Sequence, residues 1–474
     1  MDVQSPETST KFEKAIAYLE RRINYENFRS LPYLELLGRL GRLRELLVKL
    51  GSPEKRFLTV HVAGTKGKGS TCTMLKSILR QTGYRVGLFS SPHLYSPLER
   101  IAIDGVSCDA EEFGDLMLSL RDRIGKWEKN WSFTYFELTT LFAFEYFARK
   151  KVDVAILEVG LGGRLDATNV CLPTVTILTN ISFDHVEQLG PTLEAIAGEK
   201  AGIIKSGIPV VAGLESEAAQ RVIQREAEAV GAPCFFLGEH FSFVPEGSKM
   251  KFRFVPRAVP ETPFREIGSL TLKLPGEHQR ANATLAIAAA QLLRDRLKIS
   301  VPAIRSGLAK AFLPIRVERF RPSTSSPTLV IDGAHNQASV GALVRTLKYL
   351  RPFRRKSLVF GTSLDKDIEG MFAELLPFFD RIILTQHSSN PRRFPPQNML
   401  TTLCSLANAQ PVSEIAVEEN SFRAFVTCWN SAKRNDLVCV CGSMYLAGEL
   451  RQFFIESNAV RVPVDGESAD TPRC

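Results

Sequence analysis

The chain has 474 residues, of which 44% are hydrophobic, 9% aromatic and 23% charged. That composition excludes a mainly disordered polymer and leaves ample apolar material for a buried core. Lys and Arg number 60 against 51 Asp and Glu, a formal net charge of +9 that favours anionic partners.

Met1–Glu20 carries neither a basic nor an apolar leader pattern. The longest apolar stretch, Phe136–Ala148, is short and broken by Glu137 and Glu145, so no membrane span is expected. Nine cysteines include no CxxC pair, which points to a reducing compartment. Cys439 and Cys441 read as buried thiols in an apolar run. The expectation is a cytoplasmic protein. The basic clusters Arg39–Arg44 and Arg351–Lys356 are short and read as solvated faces, and no Arg/Lys stripe with interleaved aromatics occurs. No nucleic-acid or membrane partner is expected.

Strand-like runs fall at Leu58–Ala63, Arg85–Phe89, Val152–Val159, Val175–Thr179 and Pro209–Ala212. Amphipathic stretches such as Thr71–Thr82 and Leu193–Lys205 lie between most of them. This alternation predicts an α/β fold with a mostly parallel sheet. A polar seam, Arg321–Pro327, reads as a linker between a domain of residues 1–320 and one of residues 328–474. After it the alternation restarts, with strands at Thr328–Ile331, Ser357–Phe360, Arg381–Leu384 and Leu437–Cys441 and helices at Ala338–Leu350, Met371–Phe379 and Tyr445–Phe454. The tail Ser457–Cys474 is polar and expected to fray.

Val60–Thr71 carries the sharpest local signal. A strand runs into Gly64, Gly67 and Gly69, and a helix pattern begins at Ser70. Such glycines let successive amides turn towards phosphate oxygens, the new helix adds its positive end, and Lys68 reaches the outer phosphates. The match to the P-loop pattern is imperfect, since Gly69 rather than a hydroxyl residue follows the lysine.

Other strands also end in polar side chains. Glu158 closes an apolar run, where a charge must be paired or bound to a cation; magnesium and an Arg164 ion pair are both open. Asp184 and His185 follow Ile177–Thr179, and His185 is either a ligand or a structural histidine. Ser90–His93 follows Phe89 and also suits a simple turn. Nothing local distinguishes Lys200. In the second domain Asp332, His335 and Asn336 follow Leu329–Ile331, and Arg316 lies just before the linker. There a nucleotide contact and a hinge held by an Asp–Arg pair are both open.

Taken together, nine blocks in order resemble the folylpolyglutamate synthase and dihydrofolate synthase family of the Mur ligase superfamily. They are GTKGKGST at Gly64, SSPHL at Ser90, FTYFELTT at Phe133, LEVGLGGRLDATN at Leu157, DHVEQLG at Asp184, EKAGIIK at Glu199, GEHQRANA at Gly276, DGAHN at Asp332 and GSMYLAGE at Gly442. The resemblance implies an N-terminal P-loop ATPase domain, a smaller C-terminal Rossmann-like domain, and a monomer with its active site between them. It implies ATP-dependent activation of a pterin-linked carboxylate as an acyl phosphate, which L-glutamate attacks to form an amide.

It also implies roles. Gly64, Thr65, Lys66, Gly67, Lys68, Gly69 and Ser70 would cradle ATP, joined by Asn282, Arg316, Asp332 and His335. Ser91 and Glu158 would hold one magnesium ion and His185 a second, with Lys200 as a carbamylated ligand. Lys68, His185 and Lys200 would serve the chemistry. Phe133, Thr134, Leu165, Asp166 and Ala167 would line the site for dihydropteroate or a reduced folate. Two departures stand out: Lys66 replaces the Asn of many bacterial members, and Ile315 replaces a Gly before Arg316. Another Mur-type ligase acting on a UDP-linked cell-wall precursor is the alternative.

Overall fold

The computed structural model describes residues 10–24, 38–128, 131–255, 265–350, 352–364, 366–388, 392–407 and 414–456. The tail Ser457–Cys474 lies outside them. Residue contacts divide the chain into two compact units, Met1–Lys273 with Gln279–Phe312, and Leu274–His278 with Leu313–Cys474.

The first unit is built on eight strands: β1 (Leu58–Ala63), β2 (Val86–Phe89), β3 (Ile101–Ile103), β4 (Val106–Ser107), β5 (Val154–Glu158), β6 (Val175–Leu178), β7 (Val210–Ala212) and β8 (Cys234–Phe236). Their order is β4-β3-β2-β5-β1-β6-β7-β8. All pairs are parallel except β2–β3 and β3–β4, which form an antiparallel edge. The central strands read as continuous apolar runs because both faces are covered: Val60, Val62, Val154–Leu157 and Ile177 are fully buried. The helix Tyr135–Arg149 is buried on nearly every face and joins Phe113, Phe142 and Phe147 in one large core cluster.

A small antiparallel sheet, β9 (Phe241–Glu246), β10 (Lys249–Phe254) and β11 (Glu266–Thr271), follows in the same unit. Phe241, Phe252 and Phe254 pack on one face of it, with ring centroids 5.1–6.4 Å apart. The expected alternation of strands and helices does not include this sheet.

The second unit holds β12 (Glu318–Phe320), β13 (Thr328–Ile331), β14 (Lys356–Phe360), β15 (Arg381–Gln386), β16 (Glu414–Asn420) and β17 (Leu437–Cys441), in the order β12-β13-β17-β14-β15-β16. Only the β12–β13 pair is antiparallel. Cys439 and Cys441 are buried on β17, as expected.

The polar seam falls differently from the expected linker. Glu318, Arg319 and Phe320 pair with Ile331, Val330 and Leu329, so Arg321–Pro327 is the loop joining the first two strands of the second sheet. Arg321 closes that loop by donating to Ser326 O and Thr324 O at 3.3 and 3.1 Å. Its Pro/Ser composition is that of a turn between paired strands, which composition alone cannot tell from an interdomain linker.

Candidate active site

Parallel register aligns four strand ends in the first unit. Val62 pairs with Glu158, Ala63 with Leu178, and Phe89 with Leu157. The residues that follow β2, β5, β1 and β6 therefore emerge side by side at the carboxyl edge: Ser90–Ser91, Glu158–Gly162, Gly64–Lys68 and Thr179–His185. This is the edge at which open α/β sheets collect ligands.

The Gly64 loop requires its glycines. Gly64 has φ +148°, and a Cβ there would overlap Thr179 Oγ1; Gly67 has φ +82° and caps the helix Lys68–Arg80, and a Cβ there would overlap Asn282 Oδ1. The loop is tied to the segment after β6. Thr65 N–H donates to Asn180 O and Lys66 N–H to Asn180 Oδ1, both at 2.8 Å, while Thr179 Oγ1 donates to Lys66 O at 2.7 Å. Those two amides are thereby committed.

Thr71 N–H makes a helical bond to Gly67 O at 2.9 Å. The amides of Lys68, Gly69 and Ser70 precede it and have no intrahelical acceptor. The anion-facing donors are therefore at the helix end rather than along the whole of Gly64–Ser70. The helix begins at Lys68, two residues before the expected start at Ser70.

Two ammonium groups converge on one oxygen. Lys68 Nζ and Lys200 Nζ each donate to Gly64 O at 3.1 Å. Lys200 lies on the helix Leu193–Ala201 and is 5% exposed. Burial and the Lys68 charge push its pKa down to about 7, against the opposing pull of Asp184, Asp166 and Glu199. Lys66 is also shifted down by burial, with Asp184 opposing. Gly64, Lys68, Gly160, Asp184, His185 and Lys200 line one small cavity.

Glu158 closes β5 at 5% exposure. Arg164, its suggested partner, forms an ion pair with Glu226 at 3.2 Å and donates to Gly198 O at 3.0 Å. His185 sits at φ +50° with a largely exposed ring, its Nε2 3.9 Å from Asp184 Oδ1. Asn282 is buried and donates from Nδ2 to Gln279 Oε1 at 3.0 Å, with Oδ1 against Gly67.

Three of the five residues expected to line a substrate site, Phe133, Thr134 and Asp166, have structural partners. The Phe133 ring is fully buried, 4.5 Å from that of Trp131. Thr134 caps the helix Tyr135–Arg149 by accepting from Glu137 N–H at 3.1 Å, and Glu137 is paired with Arg39 at 2.5 Å. Arg39 therefore belongs to a partly buried ion pair rather than to a solvated face. Asp166, buried, accepts from Gly160, Leu161 and Thr168 amides at 2.9, 3.2 and 2.9 Å. Ala167 opens the 3₁₀ turn Ala167–Val170, and Leu165 is half-buried.

In the second unit, Ile315 and Val317 take φ +49° and +48°, a region that β-branched residues rarely enter. Arg316 is carried between them. Ile315 N–H donates to Glu318 Oε2 at 3.0 Å, Val317 N–H to Asp332 Oδ2 at 2.7 Å, and Gly333 N–H to Ile315 O at 2.9 Å. Glu318 is held by Arg451 at 2.7 Å. Asp332 Oδ1 accepts from Ala334 N–H at 2.8 Å, and burial raises its pKa despite the nearby Arg316. His335 Nδ1 lies 2.8 Å from Gly333 O.

Sequence reasoning did not assign Thr179, Asn180, Asp184 or Gly160 to the cavity or the loop that forms it. The signal available was the polar ending Thr179–Asp184 on an apolar strand. Among the described residues no cluster of three or more His, Cys, Asp or Glu side chains could hold a metal, and no helix is long and apolar enough to cross a membrane.

Two family models match the chain: the Mur ligase middle domain over residues 62–290, and the Mur ligase, glutamate ligase domain over residues 316–444. A dihydrofolate synthase/folylpolyglutamate synthase of Bacillus subtilis is 36% identical over 425 residues, covering 87% of this chain and 94% of that protein. The solved structure of E. coli FolC in complex with ADP, without folate substrate, superposes with a TM-score of 0.79 at 31% identity, over 94% of this chain and 98% of that one. E. coli FolC in complex with DHPP and ADP gives 0.78 at 30% identity, over 96% and 100%.

Proposed function

This chain belongs to the folylpolyglutamate and dihydrofolate synthase family of Mur ligases, and from that premise we propose how its residues carry out an ATP-dependent, amide-forming ligation. The chain is an ATP-dependent ligase. It activates the carboxylate of dihydropteroate, a folate, or both, and joins L-glutamate to it. The observation that carries the assignment of roles is the convergence of Lys68 and Lys200 on Gly64 O, in a cavity shared with the Val159–Gly162 turn that follows Glu158 and with Asp184 and His185.

In the first unit the amides of Lys68, Gly69 and Ser70 receive phosphate oxygens at a helix end. Gly64 and Gly67 provide the turn that makes room for them, and Asn282 packs against it. A substrate carboxylate oxygen attacks the γ-phosphorus and ADP leaves. Two anions meet in that step, and Lys68 offsets their repulsion as charge develops. The amino nitrogen of L-glutamate then attacks the acyl phosphate carbon, giving up a proton as phosphate departs. No nucleophilic side chain is needed.

The donor set suits magnesium, which takes one or two carboxylates and completes its octahedron with phosphate oxygens and water. Glu158 and Ser91 would hold one ion and His185 a second, and the ions would neutralise phosphate charge. A Lys200 amine lowered to about pKa 7 is about half unprotonated at neutral pH, and the unprotonated form is the one that takes up carbon dioxide as a carbamate. Asp166 acts through the loop it holds. Phe133 and Thr134 support the helix behind that loop, and Leu165 and Ala167 remain the candidates for pterin contact. Within the second unit Asp332 and Glu318 hold the segment that carries Arg316, and the family resemblance gives Arg316, Asp332 and His335 to the nucleotide. We place the enzyme in the cytoplasm, as a monomer.

Phosphate release tests this reading. Purified protein with ATP, magnesium and L-glutamate is given dihydropteroate or tetrahydrofolate separately. Release with dihydropteroate alone marks a dihydrofolate synthase, with tetrahydrofolate alone a polyglutamylating enzyme, and with both a bifunctional one. Folded protein that responds to neither overturns the folate assignment and favours the cell-wall-precursor alternative.

A further inference from the structure

A buried chain of hydrogen bonds leads to the turn that lines the cavity and joins Asp166 to two residues that the chemistry above does not touch, His61 and Thr168. His61 lies on β1, three residues before Gly64, and is fully buried. Its Nε2 is 2.8 Å from Thr168 Oγ1. The Thr168 hydroxyl donates to Asp166 Oδ1, whose other oxygen accepts from Gly160 and Leu161 amides at 2.9 and 3.2 Å. Gly160 and Leu161 line the cavity together with Lys68 and Lys200.

Proton counting gives this chain a direction. A threonine hydroxyl has one proton. Thr168 gives it to Asp166, so its oxygen accepts from His61, which must carry its proton on Nε2. Nδ1 is then left as a bare acceptor, and that atom has no hydrogen-bond partner. A buried acceptor without a partner costs about 1–3 kcal/mol. The imidazole is therefore fixed by the one bond it donates, to Thr168. Burial also keeps the ring neutral. Asp166 receives four hydrogen bonds in all, three from amides and one from Thr168. Without the Thr168 hydroxyl it would swing about its remaining partners.

We infer that His61, Thr168 and Asp166 form a positioning relay that locks the Gly160–Leu161 turn against the Gly64 loop, so that the reacting carboxylate and γ-phosphate meet in register. His61 and Thr168 are positioning residues that touch neither nucleotide nor substrate. The inference rests on the phosphoryl-transfer reading of the cavity. The nucleotide-binding amides at the end of the Lys68–Arg80 helix lie outside the relay, so its loss separates turnover from nucleotide affinity.

The test compares Thr168→Val, which removes the hydroxyl at constant volume, with Thr168→Ser, which restores it. In the full-length protein Thr168→Val lowers kcat about 10- to 100-fold, as expected for a displaced supporting shell. It leaves ADP affinity within about twofold and accelerates amide deuterium exchange in residues 159–163. Thr168→Ser recovers both kcat and exchange protection. Unchanged exchange, unchanged kcat, or a serine variant as impaired as the valine one overturns the relay, as does an equal fall in ADP affinity. If Thr168→Val does not fold, the tautomer of the parent protein decides by 15N NMR. Protonation of His61 at Nε2 supports the relay, and protonation at Nδ1 refutes it. Absence of pterin-dependent phosphate release in the parent protein condemns the functional reading, whereas exchange and tautomer still judge the relay.

Discussion

In the first unit β1 runs into Gly64 and Gly67, and the groups offered at the sheet edge are backbone amides and two lysines. In the second unit β13 runs into Asp332, and the residue proposed for the nucleotide, Arg316, is carried between two β-branched residues in left-handed conformation. The first solution uses residues with no steric objection to the required backbone. The second forces residues that object, at about 1–3 kcal/mol each. That cost is offset because Ile315 and Val317 are 1% and 5% exposed, and burying such side chains returns about 2 kcal/mol apiece. A phosphate cradle must leave its amides bare, so it cannot lean on side-chain burial. A guanidinium on a long stem can be aimed from a backbone that is itself locked in the core.

The strongest challenge to this contrast is Lys200→Ala. It leaves the Gly64 loop intact and removes one of the two amines on Gly64 O. We expect pterin-dependent phosphate release to fall about a thousandfold, the loss typical of removing a group that faces developing charge, while ADP affinity measured by calorimetry changes little. Retained turnover would make Lys200 structural. Gly67→Ala comes next. A Cβ there is strained at φ +82° and meets Asn282, so ADP affinity should fall about 10-fold or more, at roughly 1–3 kcal/mol for the backbone alone. Asn282→Ala in the same background should recover only part of it, because the left-handed conformation remains.

Asp332→Ala probes the other design. It orphans the amides of Val317 and Ala334, and we expect about 1–3 kcal/mol of lost stability by urea unfolding, with a raised KM for ATP. A change in KM without a change in stability would mean that Asp332 does not support the strained segment. The smallest effect is a pH dependence. The His61 pKa is pushed down to about 3 by burial, from 6.5 when exposed. The unfolded chain therefore binds a proton that the folded one refuses, so the contribution is intact above about pH 6.5 and is lost as pH falls towards 3, at about 1.4 kcal/mol per unit at most. His278 and His387, shifted to about 4 by burial, act in the same direction in the second unit. His61→Gln should lose less stability than the parent protein between pH 6.5 and 5.5.

The same contrast separates what the amino-acid sequence discloses from what it conceals. The apolar runs of β1, β5, β6, β13 and β17 are legible because strands buried on both faces leave few other readings, and the Gly64 loop is legible because its glycines serve backbone conformation directly. The site in the second unit is opaque. Two β-branched residues hide the positive φ at Ile315 and Val317, where only the Gly that Ile315 replaces hints at it; the segment is held by a local bond to Glu318 and a long-range one to Asp332. Asp166 illustrates a subtler limit: its position in the LDATN block marks importance, but only three-dimensional contacts distinguish a residue that meets substrate from one that holds a turn. The β9–β11 sheet had a readable signal in the alternation of Lys249–Phe254, yet it interrupts the strand–helix rhythm on which the fold assignment leaned.

The way the chain is divided between its compact units has a practical consequence for dissecting the molecule. Residues 274–278 belong with the second unit, although the chain on either side of them belongs with the first. The polypeptide therefore passes between the units three times, and no single cut separates them. Cleavage in the 321–327 loop would nick a paired hairpin and release nothing. A fragment beginning at Leu313 would lack five residues of its own unit. An autonomous second half would have to be made as a circular permutant or with residues 274–278 spliced to its N-terminus, and the first half would need a short bridge from Lys273 to Gln279.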